Sequence, residues 1–440
     1  MKALLLSSSF PYPVNVGRKV IMAGFIEYLV TVLGRENVVF AYIGSETDAA
    51  GAHGAPCSTS LLSLDGLPRR LAGAAWQGLI RRRHAFQEMM LRSRTAFREV
   101  RALIRQMAPD LVIVDTVRMA QYVETASPRP YRSILYLDDL YSLRYQRMIN
   151  AMRAYPEAVL DPFGTFGRFI PPVMRGVMRG QAIQQRLLAL ESHLLERREK
   201  ELPHRFDSVL LLNADESRRL AMYSKANNIA TIKPFLTRHR NKLPRHFTGE
   251  PTYLFLGNLQ YPANAHSLAI FLTQAVPALL RSDPRTRLIV IGRGADPRLQ
   301  DQSRQYNGRV EFLDFVEDLA PLMSRAAAMV VPLVYGSGLK MKVLDGLYYG
   351  LPIVSTFSGI EGVPVAHGSE CFIVDRVSAF VDPLLDLRDV DLNSRMSQRG
   401  QELYAREFAL ETVWGQYGEI FGTRERASRG DAMREMRMRA

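Results

Sequence analysis

The chain has 440 residues, of which 47% are hydrophobic and 23% charged, a composition typical of a soluble globular protein with two or three domains. No apolar run reaches membrane-spanning length, the first residues favour a β-strand over a signal peptide, and the two cysteines lack metal-ligand spacing. These features argue against an integral membrane protein and against a disulfide scaffold. Their simplest interpretation is a reducing, cytoplasmic location.

The formal net charge of +13 is unevenly distributed. Residues 1–244 contain 35 Lys and Arg against 21 Asp and Glu, whereas residues 245–422 contain 16 against 20. Residues 66–106 alone contain ten arginines and two glutamates. This distribution indicates a large anionic partner for the N-terminal half: an anionic membrane, a lipid-linked phosphate or a nucleic acid. A nucleic acid is supported by charge alone, because no binding module or aromatic-interleaved basic stripe accompanies it.

The N-terminal half alternates short apolar strands with helical periodicity. The predicted strands are Lys2–Ser8, Val38–Ile43, Leu111–Val114, Ser133–Leu137 and Val209–Leu212. The predicted helices are Arg18–Leu33, one helix across residues 86–107, and residues 177–202, while residues 44–66 are predicted to be a loop. The alternation predicts an α/β domain with a mostly parallel sheet over residues 1–240.

The pattern restarts after a polar linker, Arg238–Glu250. The strands predicted beyond it are Tyr253–Leu256, Leu288–Ile291, Val310–Leu313, Met329–Leu333 and Ile353–Ser355. We therefore predict a second α/β domain at residues 241–409, including a helix at 392–408. A closing helix follows at 410–422, and residues 423–440 are predicted to be a disordered tail. Two such doubly wound domains are expected to face each other across a cleft that takes ligands.

A glycine-rich loop leads directly into a helical pattern between two apolar strands at Gly336–Gly350. Backbone N–H groups at Gly336 and Gly338, together with a helix N-terminus, suit an anion. Lys342 and Asp345 are three residues apart and share a helix face, which suits a diphosphate at the lysine and a ribose hydroxyl at the aspartate. A structural turn followed by a helix with solvated lysines explains the same residues equally well.

Asp138 and Asp139 follow a predicted strand of the N-terminal half. They either orient an acceptor hydroxyl or cap the next helix, and capping is favoured for one of them. Asp115 has the same ambiguity. The histidines have no metal-ligand spacing, and the string Asp389–Asp391 is interpreted as solvated, so no metal site is predicted.

Residues 67–83 form a segment with arginines near both ends and a tryptophan, Trp76, between them. Either the segment lies at an anionic membrane surface, with Trp76, Arg81, Arg82 and Arg83 in contact, or it is an ordinary amphipathic helix packed on the sheet. The excess of arginine favours membrane contact. Residues 168–179 are expected to extend the same surface.

An ordered series of motifs occupies the second predicted domain. In chain order they are Phe255–Asn264, Leu288–Arg293, Val310–Val316, Val330–Gly338, Leu351–Thr356 and Gly359–Gly362. The series resembles the C-terminal domain of family 4 retaining glycosyltransferases of the GT-B architecture, and in particular the bacterial exopolysaccharide-type sugar transferases. The resemblance covers about 120 residues, from Phe255 to Asp375. It implies two Rossmann-like domains across a cleft, a nucleotide diphosphate sugar as donor, and no metal or other cofactor.

The resemblance also implies roles for individual residues. Lys342 corresponds to the family's diphosphate-binding lysine, and Asp345 stands where the family has a ribose-binding glutamate. Phe315 and Val316 lie in the implied nucleobase loop, and Gly17 in the N-domain loop that faces the donor phosphates. The remaining residues that the resemblance places at the donor are Gly257, Asn258, Arg293, Gly336, Ser337, Gly338, Lys340 and Glu361.

Two positions depart from the family pattern. Ser337 stands where many members have a sugar-contacting glutamate, eight residues before the ribose-binding one. Asn258 stands where a basic residue often follows the glycine, so Lys340 or Arg293 is expected to supply the second positive charge.

The sequence therefore predicts a glycosyltransferase that moves a sugar from a nucleotide diphosphate sugar to a saccharide or lipid-linked saccharide with retention. Lys342 would stabilise the leaving diphosphate, and Asp138 and Asp139 would act at the acceptor. The expected setting is surface polysaccharide or glycan synthesis at the inner face of the cytoplasmic membrane. The alternatives are a nucleotide-sugar epimerase or hydrolase of the same architecture, and a non-catalytic binding subunit, which Ser337 favours.

Overall fold

The computed structural model describes residues 1–14, 17–44, 54–66, 84–124, 128–154, 181–236 and 243–423. These residues divide into two compact units. The first contains the described residues within 1–146, 165–237 and 410–440, and the second contains those within 147–164 and 238–409.

The first unit is built on a parallel sheet of seven strands in the order β3-β2-β1-β4-β5-β6-β7. The strands are β1 (Ala3–Ser7), β2 (Val38–Ile43), β3 (Ser58–Leu62), β4 (Leu111–Asp115), β5 (Arg132–Asp138), β6 (Ser208–Leu211) and β7 (Ile229–Thr231). The helices described between them are α1 (Gly17–Leu33), α2 (Phe86–Met90), α3 (Arg94–Met107), α4 (Thr116–Ala120), α5 (Tyr141–Ala154), α6 (Gln181–Glu201) and α7 (Ala214–Ser224). The residues of α5 from Arg147 onward are grouped with the second unit. Every residue of β1 and β4 is buried, as expected for central strands covered on both faces.

The second unit repeats this plan with six parallel strands in the order β10-β9-β8-β11-β12-β13. The strands are β8 (Thr252–Leu256), β9 (Arg287–Ile291), β10 (Val310–Leu313), β11 (Ala328–Val331), β12 (Ile353–Thr356) and β13 (Cys371–Val374). The helices are α8 (Pro262–Gln274), α9 (Val276–Ser282), α10 (Pro297–Arg304), α11 (Ala320–Arg325), α12 (Met341–Tyr349), α13 (Phe357–Ile360), α14 (Val381–Asp386) and α15 (Val390–Phe408). This strand order is that of the dinucleotide-binding doubly wound fold.

Helices α8 and α9 together form a long apolar helical stretch, which sequence analysis did not count as membrane-spanning. By length and composition alone, Pro262–Ser282 is long and apolar enough to cross a membrane, and 39% of its most apolar window is buried. Leu268, Phe271 and Leu279 from this stretch pack in the core of the second unit with Phe380. We therefore assign α8 and α9 to the helical layer that covers the sheet.

The last described helix, α16 (Leu410–Phe421), belongs to the first unit. Its Trp414 ring lies edge-on to Tyr28, with centroids 5.3 Å apart. Gln416 donates to the carbonyl of Thr231 at 2.9 Å and accepts the N–H of Lys233 at 2.8 Å. Aromatic contacts, and hydrogen bonds between the Gln416 side chain and the main chain, thus hold α16 against the rest of the first unit.

Several sequence predictions require correction. Residues 44–66 were predicted to form a loop but contain the edge strand β3, whose mixed sequence, Ser-Thr-Ser-Leu-Leu, hides the strand pattern. The single helix predicted for residues 86–107 is two helices, because the Ser93 hydroxyl accepts the N–H of Ala96 and caps a new start for α3. Strands β7 and β13 were not predicted. The disordered tail was predicted to begin at Thr423, but Thr423 is buried and hydrogen-bonded to the Tyr28 hydroxyl at 2.6 Å. The rest of that prediction, residues 424–440, lies outside the described residues.

Candidate functional site

The middle of the second sheet positions the main group of predicted site residues. Strands β8 and β11 are neighbours there, although β8 is followed in sequence by β9 on its other side. At such a switch point the loops after the two strands diverge and leave room for a ligand at the carboxyl edge. The loops in question are residues 257–261 and 332–340.

The loop after β11 depends on its glycines. Gly336 has φ +153° and Gly338 has φ +67°, values that side chains with a Cβ rarely adopt. The Lys340 ammonium donates to the carbonyls of Ser337 at 3.1 Å and Gly338 at 2.5 Å. Lys340 therefore braces the loop from within, and α12 begins at the next residue, Met341.

Lys342 brings its amine to the loop that follows β8. Its Nζ donates to Oδ1 of Asn264 at 2.9 Å and lies 4.8 Å from the centroid of the Phe255 ring. Burial first, and then the charge of Lys340, lower the pKa of Lys342 to about 7, although Asp345 opposes the shift. Among the described residues, no carboxylate forms an ion pair with this lysine.

Two glycines make room for the Lys342 amine. A Cβ at Gly257 would lie 2.7 Å from Nζ of Lys342 and 3.0 Å from the Asn264 amide. A Cβ at Gly292, after β9, would lie 1.9 Å from the Gly257 carbonyl oxygen. Both positions therefore require glycine for close packing around Asn264 and Lys342, and Asn258 follows directly.

Asp345 lies one helical turn beyond Lys342 and is only 2% exposed. Nearby, Tyr335 precedes the glycine loop and is buried, and its hydroxyl has no hydrogen-bond partner among the described residues. Burial raises the pKa of Tyr335. The N–H of Val334 donates to Oγ of Ser267 at 3.1 Å, which ties the loop to α8.

The neighbouring strands β9 and β10 end in a stacked pair at the same edge. The Arg293 guanidinium lies 4.8 Å from the Phe315 ring centroid. Phe315 is 61% exposed, a large apolar surface for a single side chain, and Val316 beside it is half-buried. The pair offers a flat, cationic surface of the kind on which planar rings stack.

Glu361 has a protein partner in the second unit. It is 8% exposed and accepts from both terminal nitrogens of Arg147, at 2.5 and 2.7 Å. The same Nη1 atom of Arg147 donates to the carbonyl of Gly336 at 2.7 Å. The predicted donor residue Glu361 therefore fixes an arginine that braces the glycine loop.

The two predicted catalytic aspartates lie at the end of β5 in the first unit. Asp139 is 2% exposed and accepts from Nη2 of Arg144 at 2.7 Å. Asp138 has φ +71° and accepts from the Tyr136 hydroxyl at 2.8 Å. At the start of α5, the N–H groups of Leu140 and Ser142 donate to Glu216 and Glu199 at 2.7 and 3.0 Å, so two glutamates contribute hydrogen bonds at this helix start. Capping by Asp138 or Asp139 stays a prediction.

Other predicted residues of the first unit are also located. The Asp115 carboxylate, at the end of β4, accepts from the Ser7 hydroxyl, and the next residue, Thr116, has φ +67°. Strained backbone of this kind is typical of functional sites. Gly17 is the first residue of α1. Trp76, Arg81, Arg82, Arg83 and residues 168–179 lie outside the described residues.

Sequence analysis missed Asn264, Tyr335 and Arg147 as members of the site. Asn264 lies in the first turn of α8 and was quoted only as part of a motif, and Tyr335 adjoins the glycine loop, so both were within reach of the pattern. Arg147 is 189 residues from Gly336 and carries no local signal. Within the described ranges, no group of three or more His, Cys, Asp or Glu residues is arranged to hold a metal ion.

Comparison with known families bears on this site directly. Residues 250–389 match the family model of the glycosyl transferases of group 1. The second unit therefore carries a glycosyltransferase domain. A 44.6 kDa protein from the cps region of Klebsiella pneumoniae, itself uncharacterized, is 25% identical over 193 residues, 42% of this chain and 48% of that protein. The aligned stretch spans about half the length of that relative.

Solved structures show that the whole chain has the GT-B fold. Sucrose-phosphate synthase from Thermosynechococcus elongatus gives a TM-score of 0.66 at 16% identity, covering 97% of this chain and 100% of that one. HepE of Anabaena, solved with UDP, gives 0.61 at 14% identity, with coverage of 96% and 100%. TarM gives 0.64 at 8% identity, with coverage of 96% and 99%. At these identities the likeness establishes the fold.

Proposed function

We propose that this protein is a retaining glycosyltransferase of family 4 type that uses a nucleotide diphosphate sugar without a bound metal. The proposed acceptor is a saccharide or lipid-linked saccharide in surface polysaccharide synthesis, at the cytoplasmic face of the membrane. The group 1 match supports the reaction class. Structures of HepE with UDP and with UDP-glucose, and a relative from a cps region, support the donor class and the setting.

One observation carries the donor assignment. The Lys342 amine is held by the neutral Asn264 amide, beside a glycine-lined loop and near a helix N-terminus, and forms no ion pair with a described carboxylate. A buried cation without an anionic partner is costly to a fold. A diphosphate at this position supplies the missing negative charge, and the N–H groups at the start of α12 add to its stabilisation.

The proposed chemistry needs no dedicated base from the second unit. The acceptor oxygen forms a bond to the anomeric carbon on the face from which the diphosphate leaves. The carbon–oxygen bond to the diphosphate breaks, and the acceptor proton passes to a leaving phosphate oxygen. Lys342 stabilises the charge that grows on the leaving group. Asp138, at the end of β5, is proposed to orient the acceptor hydroxyl, and Asp139 to support it through Arg144.

The decisive experiment is a thermal-shift screen against nucleotides and nucleotide sugars, followed by a transfer assay with labelled donor. Stabilisation by one nucleotide diphosphate, lost in Lys342→Ala without loss of the folded far-ultraviolet spectrum, supports the donor site. Near-normal turnover by Lys342→Ala would overturn it. Release of free sugar, or of an epimerised nucleotide sugar, would instead identify the hydrolase or epimerase alternative.

The ribose role proposed for Asp345 is tested by changing protein and ligand together. Asp345→Asn should weaken binding of the ribonucleoside diphosphate by roughly tenfold, the usual range for a hydrogen bond to a charged group. Binding of the 2′,3′-dideoxy analogue should weaken much less, and only by the amount that follows from the lower pKa of Lys342 in this variant. Equal weakening of both ligands would show that Asp345 acts through the fold rather than through the ribose.

A further inference from the structure

The outward face of α3 in the first unit has an unusual charge pattern. Its arginines at positions 94, 98, 101 and 105 follow the four-three-four spacing of one helix face, and all four are exposed. The opposite face buries Ala96, Val100 and Met107. The helix therefore presents a straight arginine stripe, roughly 16 Å long at the rise of an α-helix.

The acidic groups near this stripe accept hydrogen bonds from neutral donors and not from the arginine side chains. Asp65 accepts the backbone N–H of Arg94 and the hydroxyl of Thr95, each at 2.7 Å. Glu99 accepts the N–H of Ser63 at 2.7 Å. None of the four stripe arginines forms an ion pair with a residue in the described part of the chain. Asp65 and Glu99 keep their charges, but with four arginines against two carboxylates the stripe remains a positively charged, ordered surface.

A pocket adjoins the stripe. It is lined by His84, Arg92, Arg94, Phe97, Arg101 and Gln121, together with Glu124. Glu124 is paired at 2.6 Å with Arg198, which Glu88 shares, so its charge is only partly compensated, but it is the one carboxylate in a lining with three arginines. Arg92 lies 5.3 Å from the Phe97 ring centroid. Three arginines therefore converge on a concave surface suited to a phosphate group.

We propose that the α3 stripe docks on the phosphate headgroups of an anionic bilayer and that the adjoining pocket receives one headgroup phosphate. A flat row of guanidinium groups matches a plane of phosphates. A nucleic acid fits less well, because Phe97, the helix's one aromatic residue, is covered by Arg92 and lies 4.6 Å from the Tyr122 ring. The inference rests on the proposed membrane-face location but not on the proposed reaction.

The test compares two quadruple variants in co-sedimentation with vesicles of phosphatidylglycerol and phosphatidylcholine. One replaces Arg94, Arg98, Arg101 and Arg105 by glutamine. The control replaces Arg281, Arg298, Arg309 and Arg325 by glutamine, which are exposed arginines of the second unit. Both lower the formal charge by four. We expect the stripe variant to bind anionic vesicles at least 100-fold more weakly and the control at most a few-fold. Replacing the stripe by four lysines should retain most of the binding, and salt should weaken it.

Several results would overturn the proposal. Equal losses in the two variants would mean that net charge alone attracts the vesicles. Equal binding to pure phosphatidylcholine would exclude headgroup charge, and full competition by millimolar glycerol phosphate would indicate a site for free phosphate. Tighter, stripe-dependent binding to single-stranded RNA would indicate a nucleic-acid surface. Donor-induced thermal shifts, which the stripe variant should retain, separate this result from failure of the proposed reaction.

Discussion

Donor binding at Lys342 is expected to take up a proton. The pKa of this lysine is lowered from 10.5 to about 7, mainly by burial. At pH 7 roughly half of the unliganded molecules therefore carry a neutral amine. A bound diphosphate favours the charged form and raises the pKa again. Binding should then draw about half a proton from the buffer at pH 7 and nearly a whole one at pH 9.

The size of the effect on affinity follows from the same pKa. Roughly nine-tenths of the unliganded sites are protonated at pH 6, and roughly one in a hundred at pH 9. If the diphosphate keeps the bound lysine charged across this range, the donor dissociation constant rises roughly 100-fold, or about 2.7 kcal/mol. Most of the change should fall above pH 7.

Isothermal titration calorimetry measures both quantities. The ligand should be a nucleotide diphosphate sugar, because its diphosphate does not titrate between pH 6 and 9, unlike a terminal phosphate. Titrations in two buffers of different ionisation enthalpy give the protons taken up per site. Lys342→Met should bind more weakly at every pH and take up no proton.

Substitutions of two neighbouring residues test the direction in which each shifts the pKa of Lys342. Lys340 lowers the pKa of Lys342 and Asp345 raises it. Lys340→Met should therefore move the midpoint of proton uptake to higher pH, and Asp345→Asn should move it to lower pH. Donor affinity that is independent of pH, with no proton uptake in either buffer, would refute the assignment of Lys342 to the diphosphate.

The same geometry makes four further predictions. Gly257→Ala places a Cβ 2.7 Å from the Lys342 amine and should weaken donor binding roughly tenfold or more, whereas Gly415→Ala, whose Cβ meets no atom within 4 Å, should not. Glu361→Gln breaks the ion pair with Arg147 and should raise the donor KM roughly tenfold in steady-state assays, and an unchanged KM would remove the bracing role. Lys342→Met should raise the free energy of unfolding by roughly 2 kcal/mol at pH 7 in urea titrations. That figure is about half of the free-energy cost that the lowered pKa of Lys342 implies, because the lysine side chain keeps some contact with solvent. The gain should shrink as pH rises from about 7 towards 10.5, where the unfolded lysine also loses its proton; a gain that does not change with pH would contradict the linkage. Incubation with a chelator should leave sugar transfer unchanged, and loss of transfer that added Mg²⁺ restores would disprove metal independence.

The central strands of both sheets were predictable because burial on both faces demands continuous apolar runs. Val38–Ile43 matches the predicted bounds, and β8 and β9 differ from them by one residue. Val310–Leu313 also matches although β10 is an edge strand, because its residues are apolar except for Glu311. The missed strands β3, β7 and β13 are edge strands. An edge strand is covered less completely, so its sequence is less constrained to be apolar. The pattern of β3, with only its last residue fully buried, shows this directly.

In the candidate site, too, the residues within one motif could be predicted from sequence, whereas their partners far away in the chain could not. Lys342 and the glycines of its loop could be found because they lie within one contiguous motif. The partner that fixes the amine, Asn264, lies 78 residues earlier, and the relation emerges only when β8 and β11 are placed side by side. Glu361 was predicted from its motif, but its pairing with Arg147 depends on tertiary contacts across 214 residues. The sequence was enough to locate the glycine loop. Which charged side chains near it have a charged partner depends on the folded structure.

That difference in charge compensation is our reason for proposing that the loop binds an anion. Lys340 donates to two loop carbonyls, Arg147 is paired with Glu361, and Arg293 stacks on an exposed ring. Lys342 alone among these cations is bonded to a neutral amide, and its lowered pKa reports the cost of keeping it charged. Asp345 lies close enough to oppose that shift, although no ion pair joins it to Lys342 in the described part of the chain. A carboxylate at that distance would repel a second phosphate, so a nucleotide must direct hydroxyl groups, and not phosphates, towards Asp345. The charges of the site therefore support the proposed orientation of the donor, with its diphosphate at Lys342 and its ribose one helical turn further along α12.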